Sequence, residues 1–136
     1  MNTPGLDHIN LSVSNLETAR QSYGDLLGFE LTQTPLDYPS AFAAGTYSFM
    51  VGDVEVALVR HKLTAANDRF DETRIGLDHL SFKAPDEAAL HALAARLDEA
   101  GVDNSGVQIY IPNGKRYVVF RDPDHIQLEY WLDTPR

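Results

Sequence analysis

The sequence predicts an α+β protein made of two tandem βαβββ modules, each with one helix laid on a curved sheet. Three observations carry this. First, Gly5-Leu6-Asp7-His8 recurs as Gly76-Leu77-Asp78-His79, an offset of 76 − 5 = 71 residues, about half of the chain. Self-similarity at such a period signals two copies of one supersecondary unit. Second, each copy opens a stretch of alternating apolar and polar residues and is followed by a helical stripe closed by a glycine, Gly28 or Gly101. Third, turn-punctuated strand patterns follow the helix in both halves. With 136 residues the chain is one domain, 1–136, with module 1 over about 5–61, a linker over 62–75 and module 2 over about 76–132.

Leu6 to Val13 reads as the first strand, with Ile9, Leu11 and Val13 on one face and His8, Asn10 and Ser12 on the other. Ser14-x-x-Glu17 has the form of a capping box. Leu16, Ala19, Tyr23, Leu26 and Leu27 recur at helical spacing. Phe29 to Thr34 reads as a strand and Pro35 to Ser40 as a loop. Thr46 to Val51 and Val54 to Arg60 form a hairpin across Gly52-Asp53. His61 to Ile75 is polar and weakly periodic.

The second half repeats the order. Leu77 to Ala84 is a strand. Pro85 and Asp86 start a helix with Leu90, Leu93 and Leu97 on one face. Val107 to Ile111 and Arg116 to Arg121 are strands around Pro112-Asn113-Gly114. Asp122-Pro123-Asp124-His125 turns, and Ile126 to Leu132 is the last strand. His125 sits where positive φ is wanted, which histidine tolerates better than bulky residues do.

Composition narrows the chemistry. There is no cysteine, so disulfides, thiolate ligands and a cysteine nucleophile are excluded, and a bound metal must take nitrogen and oxygen. The formal charge is −9, from 11 basic and 20 acidic side chains, which argues against nucleic acid or an anionic membrane as partner. Solubility is the simpler reading of that charge; a cationic ligand is also compatible with it. No signal peptide and no run of about 18 apolar residues is visible, so the expected location is cytoplasmic.

Strand parity then places the polar residues. Where Ile9 and Leu11 face the first helix, His8, Asn10 and Ser12 face away from it. Where Leu80 and Phe82 face the second helix, His79, Ser81 and Lys83 face away. In the last strand Glu129 shares the face of the histidines. Aligning Gly52-Asp53 on Asp124-His125 pairs Ala57 with Glu129, an offset of 129 − 57 = 72 residues. The polar faces therefore offer His8, His79 and Glu129, with Ala57 where symmetry would put a fourth ligand. Two imidazoles and one carboxylate with an open position suit a divalent first-row metal and leave room for substrate. A lone strand histidine is usually structural or merely exposed; two in register weaken that alternative.

At these residues the chain resembles the vicinal oxygen chelate superfamily, which includes glyoxalase I, extradiol dioxygenases, fosfomycin-modifying enzymes, methylmalonyl-CoA epimerase and bleomycin-binding proteins. The carriers are Leu6 to Val13, Tyr23-Gly24-Asp25-Leu26-Leu27-Gly28-Phe29, Leu77 to Phe82, and Phe120 to Glu129. The resemblance spans essentially the whole chain. It implies a half-open curved sheet around a cavity, a homodimer, and a divalent metal (Fe, Mn, Ni, Co or Zn) on His8, His79 and Glu129. Glu129 is then the catalytic carboxylate. It implies an enzyme that binds a small substrate through vicinal oxygens, as a lyase, isomerase or dioxygenase. The alternative is a bleomycin-resistance-like protein that sequesters an antibiotic or aromatic molecule without turnover.

The chain departs from particular members. The further ligand of glyoxalase I falls on Ala57; a slipped alignment would offer Glu55 or His61. Val119-Phe120 stands where dioxygenases carry tyrosine. Asn10, Tyr47, Phe49, Ala57, Tyr110, Tyr117 and Trp131 are candidates for the substrate wall, the aromatics among them having core packing as the competing role. Lys115 and Arg116 flank a hairpin tip and either meet an anionic group or are solvated. His91 has no assigned role.

Overall fold

The computed structural model describes residues 2–35 and 45–133. Beyond Pro35, the loop expected over Pro35 to Ser40 lies outside the described residues. The chain divides into two compact units, 1–68 and 69–136, each with one four-stranded open sheet. The boundary falls inside the expected linker, and residues from Arg69 onward pack into the second unit.

In unit 1, β1 (His8–Ser12) runs parallel to β4 (Val54–Val59), followed in the sheet by β3 (Thr46–Val51) and β2 (Thr32–Thr34), giving the order β1-β4-β3-β2. Helix α1 (Leu16–Arg20) continues into a π-helical segment, Gln21–Leu26. Its N-cap is Asn15 and not Ser14. Asn15 is extended (φ −147°, ψ 116°) and its Oδ1 accepts the Thr18 N–H at 2.9 Å. Glu17, expected to reach back to the cap, is held instead by Arg20 at 2.8 Å. Gly28 has φ +83° and Gly52 φ +61°, the left-handed conformations that the helix end and the hairpin require. The expected strand over Phe29 to Thr34 pairs only from Thr32. Phe29 instead stacks its ring on Phe49 with centroids 4.3 Å apart. Leu11, Tyr23, Phe49, Val56 and Leu58 make the core between helix and sheet.

Unit 2 repeats this plan with β5 (Leu80–Ala84), α2 (Glu87–Glu99), β6 (Gln108–Tyr110), β7 (Lys115–Arg121) and β8 (Gln127–Leu132) in the order β5-β8-β7-β6. Asp86 caps α2, its carboxylate accepting the Ala89 N–H at 2.8 Å. Leu90, Leu93 and Leu97 are fully buried against Phe82, Val118, Phe120 and Leu128, each removed from water with a gain of about 1.5–3 kcal/mol. Glu87 of α2 forms an ion pair with Arg116 of β7. The segment after Arg69 is tied to the β7–β8 turn: Phe70 donates its N–H to the Asp124 carbonyl at 3.0 Å, and Glu72 pairs with Arg121 at 2.6 Å. His125 has φ +72°, the left-handed turn conformation its position predicts.

The registers make the repeat quantitative. Asn10 stands opposite Ala57 in unit 1, and Ser81 opposite Glu129 in unit 2. Ala57 and Glu129 are therefore topological equivalents, as the sequence alignment requires. Among the described residues, no helix is long and apolar enough to cross a membrane.

Candidate functional site

Partners in a strand ladder share a face. In unit 2 the register places Ser81, Glu129 and Val119 in one row on the face away from α2. Lys83, Trp131, Tyr117 and Gln108 form the next row. Arg121 and Gln127 lie on the other side of the Glu129 row. His79, one residue before β5, points its Nε2 to within 3.5 Å of Glu129 Oε2. The sequence reading of this face, with His79 and Glu129 together on it, is what the geometry shows.

Glu129 is only 8% exposed. A buried carboxylate is costly unless its oxygens are satisfied, and three donors meet it. Trp131 Nε1–H donates to Oε2 at 2.6 Å, Ser81 Oγ–H to Oε2 at 3.2 Å, and Gln127 Nε2–H to Oε1 at 2.9 Å. Gln127 is oriented in turn by Arg121, whose Nη2 donates to Gln127 Oε1 at 3.3 Å. Arg121 is anchored by Glu72, and that contact holds the Glu72 carboxyl down at about 2. A line of contacts thus runs from Glu72 through Arg121 and Gln127 to Glu129.

His79 is fixed from the other side. Its Nδ1 lies 2.6 Å from Asp78 Oδ1. A carboxylate there accepts a hydrogen bond from Nδ1–H and favours the tautomer whose Nε2 lone pair faces Glu129, the form in which imidazole binds metals. His8 has the same arrangement, with Nδ1 2.6 Å from Asp7 Oδ2. The repeated Asp-His pair is thus explained by chemistry as well as ancestry. Sequence reasoning used the histidines and left the aspartates without a role, although both lie in the duplicated tetrapeptide.

The His79–Glu129 pair fits a metal. A nitrogen and an oxygen each bound at about 2.0–2.2 Å to one ion stand roughly 3.0–3.5 Å apart, and the observed separation is 3.5 Å. Among the described residues, no three His, Asp or Glu side chains gather as a ligand set. His79 and Glu129 are the two candidate ligands that lie together.

The remaining candidates separate. Asn10 and Ala57 are neighbours on the face of unit 1 away from the helix, with Ser48 beyond Ala57. Glu55 lies opposite His8 on that face and is exposed. Phe49 and Tyr47 have the other parity. Phe49 is 3% exposed and stacks on Tyr23 and Phe29, so it belongs to the core of unit 1 and not to a substrate wall. Tyr47 pairs with the buried Leu58 on the same helix-side face. Trp131 lines a cavity of about 320 Å³ in unit 2 together with His79, Ser81, Lys83, Lys115 and Glu129. Tyr117 stacks on Trp131 (4.6 Å, 13°) and Tyr110 meets its edge (5.5 Å, 71°), so these two brace the indole. Arg116 is on the helix side with Glu87. His91 lies near Glu87 on α2, exposed.

Comparison with known proteins agrees with this duplicated fold. Residues 5–130 match the model of the Glyoxalase/Bleomycin resistance protein/Dioxygenase superfamily. A glyoxylase/bleomycin resistance protein/dioxygenase domain from Frankia sp. EAN1pec superposes with a TM-score of 0.81 at 28% identity, covering 98% of this chain and 94% of its own. Lactoylglutathione lyase from Agrobacterium tumefaciens shares the fold (TM-score 0.68, 22% identity, 96% and 95% covered). So does a genomically encoded fosfomycin resistance protein from Listeria monocytogenes (TM-score 0.69, 17% identity, 98% and 96% covered). No curated protein matches the sequence significantly. With the family model matching nearly the whole chain and the duplicated fold in place, the chain belongs to the Glyoxalase/Bleomycin resistance protein/Dioxygenase superfamily.

Proposed function

We propose that the protein is a metal-dependent enzyme that holds a divalent first-row ion on His79, Glu129 and His8 and takes a small substrate through vicinal oxygens. The observation that carries this reading is the approach of His79 Nε2 to Glu129 Oε2, with His79 Nδ1 held by Asp78 and the carboxylate held by Trp131, Ser81 and Gln127. His8 enters because it repeats the aspartate-anchored geometry of His79. The ion would supply Lewis-acid stabilisation of negative charge developing on the substrate oxygens.

The chain's own residues prepare that chemistry. Asp78 accepts the Nδ1–H hydrogen bond and so presents Nε2. Trp131, Ser81 and Gln127 hold the Glu129 carboxylate in one orientation, so ordering it at the moment of binding is not needed. The indole of Trp131 forms a flat cavity wall. A homodimer is the working form this reading carries, and light scattering of the purified protein checks it.

Metal analysis tests the proposal. The purified protein should retain close to one Mn, Fe, Ni, Co or Zn per chain, and the double variant His79→Ala/Glu129→Ala should retain none. Full occupancy in that variant would end the proposal. The Trp131 wall favours one second reading, in which the cavity sequesters a flat molecule without turnover. That reading predicts binding unaffected by a chelator.

A further inference from the structure

The cavity in unit 2 has a second polar end, opposite in sign to the first. The chain contains three lysines, Lys62, Lys83 and Lys115, and 20 acidic side chains. Two of the three lysines line this one cavity. The strand register explains how they come together. Lys83 is the ladder partner of Trp131, one row from the Ser81–Glu129 row. Lys115 lies one row further, opposite Tyr110. Each row is two residues, about 6.7 Å, along the strand. The order along the face is therefore carboxylate and imidazole, then indole, then ammonium.

The charges at the far end do not cancel. Lys83 Nζ has one loose partner, Asp133, at 3.6 Å. Among the described residues, Lys115 has no ion-pair partner, although it is half-buried. At this end of the cavity two ammonium groups meet one carboxylate, Asp133, while the second lining carboxylate, Glu129, lies at the other end. Lys83 is exposed and Lys115 half-buried, so both ammonium groups are open to donate a charge-assisted hydrogen bond to an anionic ligand group.

We propose that the ligand of this cavity is a flat carboxylic acid. Its vicinal oxygens lie at the His79–Glu129 end, its planar body lies on Trp131, and its single carboxylate is taken by Lys115 and Lys83. This substrate class rests on the functional reading above for the placement of the vicinal oxygens, and on the lysines alone for the carboxylate. The aromatic wall and the lysine pair select together: a neutral diol satisfies only the first end, and a simple carboxylate only the second.

Trp131 is the single tryptophan of the chain, so its fluorescence reports the cavity directly. The experiment titrates the protein, supplemented with Mn²⁺ at neutral pH, with catechol and with its carboxylated analogue protocatechuate. Protocatechuate should bind at least about tenfold more tightly, the scale of one charge-assisted hydrogen bond. The double variant Lys83→Met/Lys115→Met should bind the two probes equally, and Lys83→Arg/Lys115→Arg should restore the preference. Added salt should narrow the gap in the wild type. Equal binding by the wild type, binding of neither probe at millimolar concentration, or a preference that survives in the methionine double variant would overturn the proposal.

The metal reading is scored separately, by the metal content of the same preparations. Metal present with no preference for the acid sinks the carboxylate proposal alone. A preference for the acid in protein that never takes up metal sinks the metal reading and leaves the lysine end standing.

Discussion

The two units of this chain share one scaffold and differ in what they place on it. Both begin with an aspartate-anchored histidine, His8 on Asp7 and His79 on Asp78, at the same 2.6 Å. Both run the first strand parallel to the last. The next rows then diverge. Where unit 2 sets Ser81 beside Glu129, unit 1 sets Asn10 beside Ala57. Where unit 2 sets Lys83 beside Trp131, unit 1 sets Ser12 beside Val59. Where unit 2 braces its carboxylate through Arg121 and Gln127, unit 1 has Met50 and Glu55. Unit 1 offers an imidazole with the exposed carboxylate of Glu55 opposite it and small side chains in the next rows, whereas unit 2 offers an imidazole, a buried carboxylate, an indole and two ammonium groups. A duplicated fold can keep the strand that starts each module and specialise the strand that ends it, because the ladder partner of a fixed residue is free to change.

The sharpest way to break this comparison is to remove the carboxylate that unit 2 sets where unit 1 has Ala57. Glu129→Ala should abolish metal retention, a loss of at least about a hundredfold in affinity on the scale of a lost charged ligand. Ala57→Gly should leave metal content unchanged, with both read by elemental mass spectrometry. Next in size is the support beneath the unit 2 sheet. Leu93→Ala should lower stability by about 2–5 kcal/mol in denaturant unfolding, because the fully enclosed side chain leaves a cavity under β7 and β8.

A smaller effect tests what the units share. Asp78→Asn should weaken metal binding about 10- to 100-fold, since the amide no longer fixes the imidazole tautomer as a carboxylate does. Asp7→Asn should behave alike if the two histidines do equivalent work. A loss in the Asp78 variant alone would show that only unit 2 carries the metal.

The smallest effect is a pH dependence. Arg121 holds the folded-state Glu72 carboxyl near 2, against its usual value of 4.5. A depressed carboxyl stabilises the fold fully above its unfolded value, and the contribution fades as pH falls from about 4.5 toward 2. The stability difference between wild type and Glu72→Gln should therefore be constant near neutral pH and shrink through that window.

Much of this was legible in the residues. The 71-residue offset of Gly-Leu-Asp-His gave the duplication, and strand parity placed His79 and Glu129 on one face. Hairpin glycines and helix-closing glycines located the turns because positive φ restricts which residues fit. Other features were not legible. Ser14 and Asn15 are both good caps, and only the backbone conformation chooses between them. Phe49 looked like a wall residue because parity within β3 was not tied to that of β4; pairing it with Val56 places it in the core. The segment after Arg69 looked like a linker because its partners, Asp124, Arg121 and His125, are roughly 50 residues away in sequence and leave no local periodicity. The aspartates beside the histidines were visible, but their role required a distance.

The central claim is that His79, Glu129 and His8 together hold one divalent ion. Its most direct measurement is the metal stoichiometry of the purified protein and of the single variants His8→Ala, His79→Ala and Glu129→Ala, each confirmed as folded by circular dichroism. The account predicts close to one ion per chain in the wild type and near zero in each variant. Retention of the ion by the folded His8, His79 or Glu129 variant, or a wild type that takes up none from added Mn²⁺, Ni²⁺, Co²⁺, Zn²⁺ or Fe²⁺, would contradict it.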